Sequence, residues 1–387
     1  MSEFVCEVVR VAIEPHPNAD AIELARVGDY ISIVKKGQFV TGDLAVYIPE
    51  QAVLPEWMLK KLGFWDDLNN KGTLTSAAGN RVRAVKLRGV FSQGLLYPVE
   101  TRHEQFCGVL NILAGDQEHQ TAVELGEDAA EWLGITKWEP AVPIHMQGKM
   151  LPACYDAVHG YDFENIKKRP DLFQEGELVV ITEKIHGTLL QVSVVPESMA
   201  NERYYKGRVI ITSKGLGREG FILDHTDETN LYAQVAKKYD LLEKMLQLYE
   251  TSGEQVIGGL PMVLFGEVYG VGVQDLSYAG DRSFRAFDMT IGVREKANFY
   301  PFYIFKQLCD AFRIDTVPVL YAGEFSREKM LEVTNGKETV SGTAANIREG
   351  VVVKSATETK HPVYGRKIAK SISEAYLMRK GNTTEFN

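Results

Sequence analysis

Cysteine is scarce in this chain. Only Cys6, Cys107, Cys154 and Cys309 occur in 387 residues, far apart, with no C-x-x-C pair and no closely spaced histidines beside them. Such spacing excludes a disulfide-stapled scaffold, speaks against structural zinc and fits a reducing compartment. Long apolar runs are missing too: no segment approaches the ~18 apolar residues that cross a bilayer. The first ten residues alternate like a strand and are interrupted by Glu3, Glu7 and Arg10, so no signal-peptide core is expected there. The expected location is the cytoplasm, with no membrane partner. Positive charge is not in excess either. Lys and Arg number 43 against 52 Asp and Glu, a formal charge of -9, so nucleic acid is not bound by bulk charge and any polyanion site has to be local. Internal repeats and low-complexity tracts are absent as well. What is present is a 45% hydrophobic, 25% charged composition, that of a globular protein, in a chain longer than one core usually organises. Two domains are expected.

From Phe4 to Pro98, short alternating runs at Phe4–Val11, Ala21–Val27, Tyr30–Val34, Leu44–Ile48, Val82–Lys86 and Gly94–Pro98 are punctuated by turn signals at Asn18-Ala19-Asp20, Gly28-Asp29 and Gly42-Asp43. That spacing predicts a small β-barrel. The stretch from Pro15 to Leu24, PHPNADAIEL, resembles the opening strands of oligonucleotide/oligosaccharide-binding (OB) barrels that bind tRNA. Arg81, Arg83, Lys86 and Arg88 follow with no acid among them, and alternation puts Arg81 and Arg83 on one strand face. Two readings are open: a surface that tracks phosphates, or an edge strand charged against aggregation. Trp57, Phe64 and Trp65 lie in a helix-like segment and read as core more readily than as stacking platforms.

Residues 101–170 lack a strong period, carry Pro140, Pro143, Pro152 and Pro170, and offer one helical candidate at Ala122–Leu133. Beyond them, strands are expected at Leu178–Thr182, Leu189–Val195, Val209–Ser213, Val263–Glu267, Ser283–Met289 and Gly350–Lys354, and helices at Tyr232–Tyr249 and Tyr300–Phe312. The order is not strict βαβ alternation, so an α+β domain of antiparallel sheets is predicted. The expected division is 1–135 as a barrel with a helical extension, 136–170 as connector and 171–387 as the second domain. The match of Gly215-Leu216-Gly217-Arg218-Glu219-Gly220 to a dinucleotide fingerprint is discounted, because no helical apolar spacing follows it; a hairpin turn is expected instead.

Six short segments in the second domain end strands or turns in charged residues: Glu183-Lys184-Ile185-His186-Gly187-Thr188, Ser213-Lys214, Phe265-Gly266-Glu267, Phe287-Asp288, Glu349-Gly350-Val351-Val352-Val353-Lys354 and Lys367-Ile368-Ala369-Lys370. A lysine is a nucleophile only once deprotonated, which neighbouring cations or burial favour. In this order the set resembles the motifs of the covalent lysine-nucleotidyltransferase superfamily, over roughly Glu175 to Leu377. The histidine at position 186, where DNA ligases and capping enzymes usually have aspartate, is similar to nick-sealing RNA ligases. An OB barrel placed before this domain resembles their Deinococcus-type branch. Only 17 residues follow Lys370, too few for the trailing barrel of DNA ligases.

The resemblance implies an OB-like barrel followed by an ATP-grasp-like ligase adenylation domain of antiparallel sheets flanked by helices. It implies an ATP-dependent ligase that joins 3′-hydroxyl and 5′-phosphate ends, at nicks in duplex RNA or RNA/DNA hybrid, acting as a monomer. Lys184 would form a lysyl-AMP. His186 would contact a phosphate oxygen, Glu349 would orient the lysine and hold hydrated Mg²⁺ or Mn²⁺, and Lys370 and Lys354 would clamp phosphates. Glu183 would lie near the adenine edge, Gly187 would close the nucleotide-binding turn, and Lys214 would lie near the ribose and phosphates. Glu267 would hold the ribose, Phe287 would stack on adenine, and Lys367 would compete with its neighbours for the second lysine role in the last motif. Arg81, Arg83, Lys86, Arg88 and Arg218 would contact nucleic acid. A DNA nick ligase, an RNA guanylyltransferase and a non-catalytic RNA-binding protein are the alternatives.

Overall fold

A computed structural model describes residues 4–74, 78–101, 107–114, 117–138, 149–152, 155–218 and 220–379. Cys154 and part of the expected connector, 139–148, lie outside them. The chain divides into two compact units: one comprises 2–140 with 165–170 and 377–387, the other 141–164 and 171–376.

The first unit is built from antiparallel β-structure. Leu44–Ile48 is central, pairing with Val8–Arg10 on one side and Leu95–Pro98 on the other. Its five residues are all buried, because alternate side chains serve two clusters. Leu44, Val46 and Ile48 pack with Met58 and Leu59, while Ala45 and Tyr47 pack with Tyr30 and Phe39. A second meander joins Ala12–Pro15, Ile22–Val27 and Tyr30–Lys35. Helix Glu56–Leu62 ends at Gly63 in the left-handed conformation. Trp57, Phe64 and Trp65 pack against this core, as expected of them.

Two expectations for this unit fail. Instead of a structureless stretch and a helix at Ala122–Leu133, strands Cys107–Ala114 and Gln117–Glu124 pair along eight residues, and only Ala130–Leu133 is helical. Gly126, at φ +89, breaks the apparent helical period. The strand expected at Val82–Lys86 is shorter and shifted, Val85–Leu87, paired in a hairpin with Val90–Ser92.

The second unit stacks two antiparallel sheets. One has seven strands, in the order Met150–Pro152, Phe221–Leu223, Val209–Ser213, Thr188–Val194, Met262–Tyr269, Ser283–Ile291, Asn298–Phe299. The other has four: Val319–Glu324, Leu178–Lys184, Gly350–Ser355 and Ile368–Ile372. One face of the larger sheet, through Leu190, Val192, Leu264 and Val268, packs with residues of helices Leu231–Lys238, Leu241–Ser252 and Phe302–Ala311. Its other face carries Leu189, Val263 and Phe265, with Tyr161, Phe287 and Phe299 against them. The single helix expected over Tyr232–Tyr249 is two helices, split where Asp240 adopts φ +54. The first begins where the Asn230 side chain accepts from the amides of Tyr232 and Ala233, a cap that contributes about 1 kcal/mol. Residues Lys214–Arg218 form a short helical turn between antiparallel Val209–Ser213 and Phe221–Leu223. A returning strand there rules out the dinucleotide fold. No helix among the described residues is long and apolar enough to cross a membrane.

Candidate active site

Register assembles the site on one face of the four-stranded sheet. Gly350 pairs across from Lys184 and Ile372, Val352 from Thr182 and Lys370, and Lys354 from Val180 and Ile368. Directly opposed residues and those two apart share a face, so Lys184, Lys354 and Lys370 all project from the same side. Gly350 admits this close pairing, since a β-carbon there would lie 2.1 Å from the Ser371 carbonyl oxygen. Lys184 Nζ donates to Glu349 Oε1 at 3.0 Å. The lysine side chain is 18% exposed and the carboxylate 1%, which leaves the amine as the approachable half of the pair.

The turn after Lys184 is held from several sides. At Gly187 a β-carbon would sit 2.1 Å from the Val268 carbonyl oxygen and 2.9 Å from Glu267 Cγ, so only glycine lets the turn lie on strand Met262–Tyr269 beside that carboxylate. His186 is 1% exposed. Its backbone N–H donates to Tyr278 Oη at 2.6 Å, its Nε2 meets Asp275 Oδ1 at 2.7 Å and its Nδ1 meets Tyr376 Oη at 2.9 Å. Both ring nitrogens of His186, the residue expected to contact a phosphate oxygen, are engaged with protein groups.

Glu267 stands opposite Leu189 and Arg285, on the face that also carries Phe265 and the half-buried Phe287. The Phe287 ring lies 4.9 Å from that of Tyr161, which in turn lies 4.8 Å from Phe265. Lys214 reaches Asp162 Oδ2 at 3.2 Å, next to Tyr161 in the chain. Beneath the aromatics, Asp288 Oδ2 accepts from Lys354 Nζ (2.8 Å), an Arg366 guanidinium nitrogen (2.8 Å) and Tyr161 Oη (2.7 Å). Burial alone would raise the carboxyl pKa of Asp288, but the charges of Arg366 and Lys354 hold it below the usual range. Burial lowers the Lys354 ammonium pKa despite that partner, and Lys354 Nζ donates a further bond to the Phe287 carbonyl oxygen at 2.6 Å. Lys354, expected as a phosphate clamp, ties the two sheets together under the aromatic platform.

Other expected site residues also have partners within the protein. Glu183 points to the opposite face from Lys184 and accepts from the Thr339 amide and hydroxyl, with Arg348 3.7 Å away. Burial raises its pKa, and the Thr339 bonds moderate the rise. It anchors the 336–346 loop through Thr339. Lys367 pairs with Glu177, which leaves Lys370 as the final-motif lysine on the site face. Arg81 is 4% exposed, its guanidinium 3.6 Å from the Trp138 ring centroid. Burial, then the neighbouring charge of Arg83, pushes its pKa down to about 10. It is a core cation, whereas Arg83 is half-buried and Lys86 and Arg88 are exposed. The side chain of Arg218 lies outside the described residues.

Sequence reasoning missed Tyr161, Asp275, Tyr278, Tyr376 and Arg366. Only Asp288 carried a signal, as the acid directly after Phe287.

Comparison with known proteins agrees with this architecture. An OB-fold domain model matches residues 5–99. A search of curated proteins returns no match. Among solved structures, Naegleria gruberi RNA ligase with PPi superposes with a TM-score of 0.70 at 23% identity, covering 97% of this chain and 98% of that one. A mutant of that ligase with ATP and Mn gives a TM-score of 0.71 at 24% identity over 97% and 98%, and another with AMP and Mn gives 0.70 at 23% over the same shares. At this identity the likeness establishes the fold. The RNA ligase family model matches residues 177–372, the span from Glu177 to the strand of Lys370 that holds the motif lysines, and on that match the chain belongs to the RNA ligase family.

Proposed function

We propose that this chain is an ATP-dependent RNA ligase that seals 3′-hydroxyl to 5′-phosphate ends at nicks in duplex RNA or RNA/DNA hybrid, of the branch with a leading OB domain that the Deinococcus-type enzymes represent. The observation that carries the reading is the Lys184 amine, approachable at the mouth of the sheet and held 3.0 Å from the buried Glu349 carboxylate. Lys184 Nζ attacks the α-phosphorus of ATP, a P–N bond forms, and the bond to pyrophosphate breaks. AMP then passes to the 5′-phosphate, and the 3′-hydroxyl displaces it. Phosphoryl transfer depends mainly on alignment and charge, and the other groups support both. Phe287 beside Tyr161 offers a face for adenine, Glu267 next to Gly187 an acceptor for the ribose hydroxyls, and Lys370 and Lys214 positive charge for phosphates.

A divalent metal fits this donor set in one form. Among the described residues no cluster of three or more His, Cys, Asp or Glu side chains is arranged to hold an ion. A hydrated Mg²⁺ or Mn²⁺ needs no such cage, because water and nucleotide phosphates supply most of its ligands. Glu349 would hold it by its waters. When bound it screens phosphate charge and stabilises departing pyrophosphate.

The test is incubation with labelled ATP and metal without RNA, followed by mass analysis of the intact protein and its peptides. AMP attached at Lys184 is the expected result, and no added AMP, or AMP on another lysine, overturns the reading. Nicked duplexes that vary RNA and DNA on either side of the break then decide the substrate. Sealing confined to nicks with RNA at the 3′-hydroxyl side is expected, and label from GTP in place of ATP would indicate a capping-type enzyme.

A further inference from the structure

The segment 270–281, between strands Met262–Tyr269 and Ser283–Ile291, closes on the Lys184 turn through three groups. Asp275 meets His186 Nε2, Tyr278 accepts from the His186 amide, and Gln274 Nε2 reaches the Gly187 carbonyl oxygen at 3.5 Å. The segment is built rather than slack. Val273, Leu276 and Tyr278 are buried, and Gly270, at φ +111, leaves no room for a β-carbon against the Asp281 carbonyl, 2.4 Å away. Tyr278 and Ala279 both adopt left-handed backbone at φ +52 and +49, which side chains with a β-carbon resist. Such strain persists only where the surroundings enforce it, and here its result is the clamp on His186.

We infer that Asp275 is a positioning residue for adenylyl transfer: its carboxylate keeps the proton of His186 on Nε2, so that Nδ1 stays an acceptor for the Tyr376 hydroxyl and does not compete with Lys184 for Glu349. Two distances carry this. His186 Nδ1 lies 4.0 Å from Glu349 Oε1, the same oxygen that receives Lys184 at 3.0 Å. An imidazole with its proton on Nδ1 would draw that oxygen toward itself and loosen the lysine. A carboxylate on one ring nitrogen fixes the tautomer at the other. Asp275, 32% exposed beside a ring that is 1% exposed, is the rim residue through which that orientation can be altered without emptying the core.

The inference rests on Lys184 as the nucleophile, and the test separates the two. Two-bond ¹H–¹⁵N spectra of the nucleotide-free protein, with His186 assigned by its loss in His186→Ala, should show the proton on Nε2 and a change toward mixed tautomers in Asp275→Ala. That readout needs no activity. In single-turnover labelling at saturating ATP, Asp275→Ala should slow lysyl-AMP formation by about 10- to 100-fold, as loss of an orienting carboxylate does elsewhere, while the half-saturating ATP concentration moves less than about threefold. Asp275→Glu should recover part of the rate, and Asp275→Ala added to His186→Ala should cause no further loss. A proton on Nδ1 alone, a wild-type rate in Asp275→Ala, a loss confined to ATP affinity, or additive losses in the double variant would each overturn the inference. Absence of AMP on wild-type Lys184 would instead overturn the functional reading and leave the tautomer result standing.

Discussion

Lys184 and Lys354 stand on the same face of the same sheet, and each is bonded to a carboxylate, yet they are opposite kinds of pair. Lys184 is 18% exposed and rests on Glu349, whereas Lys354 is 3% exposed and shares Asp288 with Arg366 and Tyr161. The first arrangement leaves an amine that a substrate can reach. The second satisfies Asp288 from three sides and joins strand Gly350–Ser355 to strand Ser283–Ile291. Charged residues at strand ends thus fall into two groups, those left open for chemistry and those sealed to hold the sheets that carry it. Burial and the number of partners tell them apart, and residue type does not.

The comparison breaks first, and by the largest effect, at the two lysines themselves. Lys184→Ala should lower AMP incorporation by at least about a thousandfold, the scale seen when a nucleophile is deleted, with a melting temperature close to wild type. Lys354→Met should do the reverse. Removing one partner of a buried ion pair costs about 3 kcal/mol, which in a unit of this size appears as a fall of about 10 °C in Tm, while the folded fraction still labels at Lys184. Calorimetry and labelling on the same preparations read both. A Lys354→Met protein as stable as wild type but unable to form lysyl-AMP would place Lys354 in the chemistry and dissolve the distinction.

The same distinction explains what the sequence could and could not disclose. Lys184 and Glu349 were legible because each sits where a strand ends or begins and the alternating pattern stops, whereas Glu267 lies inside Met262–Tyr269, where the expected strand ended two residues early. The partners that decide each residue's role were not legible. Asp275 and Tyr376 lie 89 and 190 residues from His186, and Tyr161 lies 127 from Asp288, in a stretch that reads as connector. Pairings at that distance are set by sheet register, which no local pattern encodes. Local breaks were hidden for another reason. Asp240 interrupts an otherwise continuous helical period, and in strand Gln117–Glu124 most residues are exposed, so its alternation has little apolar contrast to reveal it.

A smaller, graded effect follows from the carboxyl of Asp288. Its pKa in the folded protein lies below the ordinary value because Arg366 and Lys354 overcome the effect of burial. A depressed carboxyl contributes stability that is present above its unfolded pKa, near 3.9 for aspartate, and is lost as the pH falls through the folded value. Acidification below about pH 4 should therefore erode this contribution first. Denaturant midpoints of wild type and Asp288→Asn, measured from pH 7 downward, should differ most at neutral pH and converge in acid. A gap that stays constant across that range would mean that the Asp288 charge is not what holds the sheets together.

The smallest expected effect tests whether the open-versus-sealed rule also holds in the OB unit. Arg81 is sealed over Trp138, while Lys86 and Arg88 are exposed on the hairpin of Val85–Leu87 and Val90–Ser92. Lys86 stands directly across from Phe91, above whose ring Lys167 Nζ lies at 5.5 Å, an aromatic side chain flanked by cations of the kind that single strands stack on. Charge reversal at Lys86 and Arg88 together should slow sealing of a nicked duplex by about tenfold at low salt and flatten its salt dependence, since two phosphate contacts are lost. Lysyl-AMP formation, which needs no RNA, should stay within about twofold of wild type. Arg81→Gln should instead lower the melting temperature and reduce both activities alike, because the group it removes supports the fold. Equal loss of sealing and labelling in the Lys86 and Arg88 variant would show that the hairpin, too, is structural, and would leave the ligase unit as the sole carrier of the chemistry and of RNA recognition.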